Sequence, residues 1–139
     1  MKKHLLPLLL SIPMLMSAEN LSVNSPDGNL KVTLSDNDGK LSYTVTYKEH
    51  SIIESSPLGL KTNVGDYTKD AKLAKQETSV IDERYTLNRT KKSDIHYVAN
   101  QLVATYRYPE RRTMQVVFNV SNNDIAFQYR LMPIGETVC

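Results

Sequence analysis

The chain predicts an all-β fold, an antiparallel β-sandwich, on three observations. Apolar residues recur with a period of two, turn residues punctuate runs of similar length, and no long stretch carries the 3.6-residue repeat of an amphipathic helix. Leu30, Val32 and Leu34 alternate with Lys31, Thr33 and Ser35; after DNDG, Leu41, Tyr43, Val45 and Tyr47 alternate with Ser42, Thr44 and Thr46. An Asp-Gly turn between two such runs predicts a hairpin. SPDG at 25–28 is a second turn signal, so a short strand at 21–23 precedes that hairpin. KEHS turns the chain into SIIE, and SPLGLKT supplies a short buried piece around Leu58 and Leu60. Residues 62–78 are polar and are expected to form a connection, with at most one short helical turn near Asp70 to Lys75. Strands resume at 95–108, with Leu102, Ala104, Tyr106 and Tyr108 on one face, and at 114–120, with Met114, Val116, Phe118 and Val120 on one face. PERR joins these two. A turn at Asn122, Asn123 and Asp124 then leads into 125–131, where Ile125, Phe127, Tyr129 and Leu131 share a face. Six to eight strands result. The pair 114–120 and 125–131 carries such large apolar faces that both strands are expected to be central, in a sandwich larger than these residues complete.

The first 18 residues belong to a different category. Lys2 and Lys3, an apolar run from Leu5 to Met16 and the small pair Ser17 and Ala18 follow the order of a secretory signal. The run is too short to span a bilayer and contains Pro7 and Pro13, so cleavage near Ala18 and export, to a Gram-negative periplasm or beyond, is the expectation. With the leader gone, no membrane association is expected. The charge argument changes as well: two of the 17 basic residues lie in the leader and none of the 15 acidic ones do, so the mature chain balances 15 against 15. The basic pI therefore reflects targeting, and nucleic acid is not an expected partner. Cys139 is the lone cysteine, so no internal disulfide can hold the domain.

Residues that could carry chemistry do not assemble into a motif. His50 and His96 lack the spacing of a metal site, and Ser55-Ser56-Pro57-Leu58-Gly59 is not a nucleophile elbow. Asp82 and Glu83 are adjacent on a strand and point to opposite faces, which is wrong for two carboxyls flanking one bond. Asp36 and Asp38 share a face, but turn formation explains them, and the ligand spacing of an EF-hand is absent. Eight tyrosines against two phenylalanines and no tryptophan leave a sugar-stacking platform open. Tyr43, Tyr47, Tyr106, Tyr108 and Tyr129, however, fall in phase with Leu and Val and are expected in the core or at its rim. Sequons begin at Asn20, Asn88 and Asn119 and matter only in a host that glycosylates asparagine.

Several segments, in one order, resemble a known family. SPDGNLKVTLSDNDGKLSYTVTYKEHSIIESSPLGL is similar to the N-terminal opening of glycoside hydrolase family 97 enzymes, whose members include α-glucosidases and α-galactosidases. IDERYTL, SDIHYVANQLVATY and MQVVFNVSNNDIAFQYRL continue the resemblance, with Ala126 and Gln128 departing from the more usual Val and Arg. The resemblance covers nearly all of the chain after the leader at 1–18 and implies, over 19–139, about the first half of an N-terminal super-sandwich. It implies as partner a catalytic (β/α)₈ barrel absent from this chain, with α-linked oligosaccharide as the substrate of the complete enzyme. Family members carry calcium and paired carboxylates, which come largely from the barrel and the later sandwich. No position here matches one. The expected assignment is therefore no catalytic, cofactor-binding or metal residue in this chain, no cofactor bound by it, and calcium in the full-length enzyme. A stand-alone carbohydrate-binding or purely structural sandwich is the alternative.

Overall fold

A computed structural model describes residues 20–88 and 94–132, and every regular element in that range is a strand. The leader, the Lys91-Lys92 pair and Cys139 lie outside the described residues. The first sheet is an antiparallel meander of β1 (Leu21–Asn24), β2 (Leu30–Asn37), β3 (Lys40–Tyr47) and β4 (His50–Pro57), in that order. A small hairpin follows, β5 (Lys61–Thr62) with β6 (Gly65–Asp66). The second sheet is another meander, of β7 (Lys72–Thr86), β8 (Asp94–Tyr108), β9 (Arg112–Ser121) and β10 (Ile125–Leu131).

The predicted DNDG turn forms, with Asn37 opposite Lys40 and Asp38 and Gly39 both at positive φ. That backbone matches the twist of the flanking strands. The core forms from the alternation. Val32 and Leu34 of β2, Leu102 and Ala104 of β8, and Met114, Val116, Phe118 and Val120 of β9 are all buried, while Lys31 and Arg107 on the opposite faces are exposed. Each large side chain so buried contributes about 1.5–3 kcal/mol. The sheets face each other with β1 against β8 and β9 and β2 against β9.

Two expectations need correction. Residues 72–78 are not a polar connection or a helical turn but the first half of β7, a 15-residue edge strand exposed on both faces along most of its length. Such a strand needs no apolar alternation, because its geometry is imposed by pairing with β8 from Lys72↔Arg107 to Thr86↔Asp94. Among the described residues β10 is the last strand of its sheet, with Phe127 46% and Leu131 40% exposed. Its apolar face exceeds what the described residues can cover. Tyr47, expected in the core or at its rim, is 40% exposed, and the Lys48 ammonium lies 5.5 Å from its ring centroid.

Candidate functional site

Two polar assemblies close the ends of the sandwich. At one end the SPDG turn folds on itself. The Ser25 amide donates to the Leu30 carbonyl at 2.8 Å, the Leu30 amide to Ser25 Oγ at 3.0 Å, and Ser25 Oγ to Asp27 Oδ1 at 2.6 Å. The turn then clasps the second sheet: the Asp27 amide donates to Asn122 Oδ1 at 2.9 Å, and Asn100 Nδ2 to the Asn24 carbonyl at 2.7 Å. The Ser25 hydroxyl, then the Asn29 amide, hold the Asp27 carboxyl below its usual range. The side-chain groups of this end are consumed in structure.

The opposite end is plugged by residues 58–71, where Leu58 is buried and Leu60 packs on the core as expected, and where the stretch from 62 onward was expected to be a polar connection. Tyr67, 1% exposed, meets Tyr108 edge-on at 5.1 Å between ring centroids, and the Arg112 guanidinium lies 5.3 Å from its ring centroid. Arg112, itself buried, donates from Nε to the Pro109 carbonyl and from Nη1 to the Asp66 carbonyl, both at 3.0 Å. The Gly59 amide donates to Tyr129 Oη at 3.1 Å. Tyr108 Oη is buried without a hydrogen-bond partner among the described residues, and burial raises the phenol well above its ordinary value. The missed signal for this plug is local: Tyr67 is the one aromatic residue between Tyr47 and Tyr85, set beside a Gly that permits close packing. A Cβ on Gly65 would sit 2.0 Å from Arg112 Nη1.

Beside this end, a cleft of about 730 Å³ is lined by Asp38, Gly39, Asp70, Ala71, Lys72, Arg107, Tyr108 and Pro109. It mixes two carboxylates with two cations, Lys72 and Arg107, that stand opposite one another across β7 and β8. The remaining candidates stay apart. His50 is exposed on β4 and His96 on β8. His96 Nε2 lies 2.6 Å from Asp82 Oδ1, an exposed pair on the outlying part of the β7–β8 ribbon. Asp82 opposes Val98 and Glu83 opposes Tyr97, so the two carboxyls leave opposite faces of the ribbon, as their adjacency predicts. Among the described residues no group of three or more His, Cys, Asp or Glu side chains is placed to hold a metal ion. Of the five tyrosines expected to pack, Tyr106 and Tyr108 are buried and Tyr43 and Tyr129 are half-buried against the core.

Fold and polar groups together define a two-sheet antiparallel β-sandwich tied at both ends by hydrogen bonds. The chain belongs to the glycosyl-hydrolase 97 N-terminal family, whose model matches residues 23–138. Among curated proteins it is similar to a retaining alpha-galactosidase of Bacteroides thetaiotaomicron, 27% identical over 116 residues, which are 83% of this chain and 17% of that protein. Among solved structures it is similar to a beta-arabinopyranosidase, with a TM-score of 0.80 and 37% identity, covering 84% of this chain and 19% of the other. A glycoside hydrolase family 97 enzyme from a Pseudoalteromonas species, solved with acarbose, shares the fold at a TM-score of 0.74 and 23% identity, covering 80% of this chain and 17% of that one. The chain thus spans less than a fifth of the length of each of these relatives.

Proposed function

We propose that this chain is the N-terminal sandwich region of an exported glycosidase that cleaves α-linked sugars, packing on a catalytic (β/α)₈ barrel and shaping its pocket. The observation that carries the reading is the family match over residues 23–138, in relatives several times longer that are themselves glycosidases. The sandwich contributes shape and support, and the hydrolytic carboxyls come from elsewhere in the enzyme, together with the calcium expected there. Asp82 and Glu83 leave opposite faces and cannot flank one glycosidic bond. Both α-glucosides and α-galactosides fit the family. Order in Lys2, Lys3, the apolar run and Ser17-Ala18 supports export to the periplasm.

The test is to read the gene past the Cys139 codon and assay the encoded protein on chromogenic α-glucoside, α-galactoside and β-arabinopyranoside, with calcium present. Turnover of one of them by the complete protein, and none by residues 19–139 alone, is the expected result. A stop codon after Cys139, or turnover by residues 19–139 that disappears in Asp82→Asn or Glu83→Gln, overturns it.

A further inference from the structure

Asp-Gly occurs twice in the chain, at Asp27-Gly28 between β1 and β2 and at Asp38-Gly39 between β2 and β3. The dipeptide carries a chemistry of its own. The amide nitrogen of the glycine can attack the aspartate Cγ, and glycine hinders that approach least because it has no Cβ. Both aspartates are exposed, so access does not separate the two sites. Hydrogen bonding does.

At Asp27-Gly28 both reacting groups are held. The Gly28 amide donates to the Ser25 carbonyl at 2.9 Å, which commits the nucleophile. Asp27 Oδ1 accepts from Ser25 Oγ at 2.6 Å and from the Asn29 amide at 3.0 Å, and Oδ2 accepts from Asn29 Nδ2 at 3.2 Å. These bonds favour the carboxylate over the neutral acid, the form from which water leaves readily. At Asp38-Gly39 neither group is held: the Gly39 amide and the Asp38 carboxyl have no hydrogen bond or ion pair among the described residues. Both residues also border the cleft they share with Asp70, Lys72 and Arg107, which is open to water.

We propose that Asp38-Gly39 is a site of spontaneous isomerisation to isoaspartate, and that Asp27-Gly28, the same dipeptide in the same sheet, is shielded from it. The Gly39 nitrogen bonds to Cγ of the neutral Asp38 carboxyl, and the carboxyl hydroxyl leaves with the amide proton as one water, closing a succinimide ring. Water then adds at either imide carbonyl. Opening between Cγ and nitrogen restores aspartate. Opening between the backbone carbonyl carbon and nitrogen leaves the chain running through Cβ and Cγ, with the former backbone carbonyl as a free carboxylate. No atom is gained or lost overall, and no oxidant, reductant or cofactor takes part. The product does not fit the turn. Isoaspartate adds one methylene to the main chain ahead of Gly39, whose carbonyl accepts from the Ala71 amide at 2.9 Å and where even a Cβ would stand 2.9 Å from Asp70 Cα. The reaction therefore unpins the turn between β2 and β3 from the residues that lead into β7.

The test stores the full chain at mildly acidic pH, one sample folded and one in guanidinium chloride, and maps isoaspartate as a digestion peptide of unchanged mass that elutes separately. In the folded sample isoaspartate should form at Asp38 at least fivefold faster than at Asp27. In denaturant, where neither turn persists, the two rates should agree within twofold. Hydrogen exchange at the Ala71 amide should be at least tenfold faster in the folded chain carrying isoaspartate at 38 than in the unmodified chain. Ser25→Ala removes the Oγ bond to Asp27 and should raise the rate at Asp27 at least threefold, leaving Asp38 within twofold. Should Ser25→Ala fail to fold, the two samples of the unaltered chain decide. Equal rates at the two sites in the folded chain, faster reaction at Asp27, a fivefold gap that persists in denaturant, or unchanged exchange at Ala71 overturns the proposal.

Discussion

Tyr108 is held in the core by its ring and penalised by its hydroxyl. An unpaired buried hydroxyl costs about 1–3 kcal/mol, so Tyr108→Phe should raise the melting temperature. The same change alters the alkaline limb. Burial raises the folded phenol above its ordinary value of 10.0, so its contribution to stability is whole below that pH. It is lost as pH climbs toward the folded value, because the unfolded chain ionises first. Tyr108→Phe should flatten the decline in stability above pH 10, measured by denaturant melts across that range. Asp27 has the opposite sign. Its carboxyl is lowered by Ser25 and Asn29, so its contribution is present above the ordinary carboxylate value and disappears as pH falls through the folded one. Asp27→Asn should flatten the acid limb in the same experiment. Gly65 makes room for Arg112, and Gly65→Ala should push the guanidinium off the Asp66 carbonyl and destabilise the fold by about 1–3 kcal/mol, read as a shift in urea midpoint. At this scale the sequence was legible where burial follows alternation, as at Met114 to Val120. It was not legible at Tyr67 and Arg112, whose burial comes from an irregular segment folding over the end of the sandwich.

Strand elements were readable in proportion to how much of one face they bury. β2, β8 and β9 announced themselves through period two, whereas β7 did not, since a strand with solvent on both faces gains nothing from alternating. Val80 on β7 is 68% exposed, and Val80→Lys should therefore change stability by no more than about 0.5 kcal/mol in the same melts. Turns give a sharper contrast. Asp38-Gly39 joins β2 to β3 with the chemistry such a hairpin prefers, but Lys48-Glu49 joins β3 to β4 with both residues at positive φ and neither a glycine. Left-handed backbone at such residues costs roughly 1–2 kcal/mol each. Replacing Lys48-Glu49 by Asn-Gly should stabilise the chain by about 1–2 kcal/mol, visible as a higher urea midpoint at unchanged slope. The apolar face of β10 reports how much cover that strand needs, and the described residues supply only part of it.

For the whole molecule, hydrogen-bonded polar groups gather at the two ends of the sandwich, around Ser25 and Asp27 and around Arg112. Incomplete cover of Ile53, Phe127 and Leu131 forfeits part of a stability that is typically only about 5–15 kcal/mol. The order of strands has a further result, in time. Each sheet is drawn from one unbroken stretch, 21–57 and then 72–131, with every neighbour in the sheet also a neighbour along the chain. Pairing within a sheet then closes only short loops, and the sole long-range event is docking one finished meander on the other. As the chain emerges from its N-terminal end, the leading meander comes first and has to wait, its Val32 and Leu34 face bare, until β8 and β9 arrive. The folding barrier should accordingly lie in docking: Phe118→Ala should slow folding, while loosening the Asp38-Gly39 turn should speed unfolding and leave the folding rate nearly unchanged.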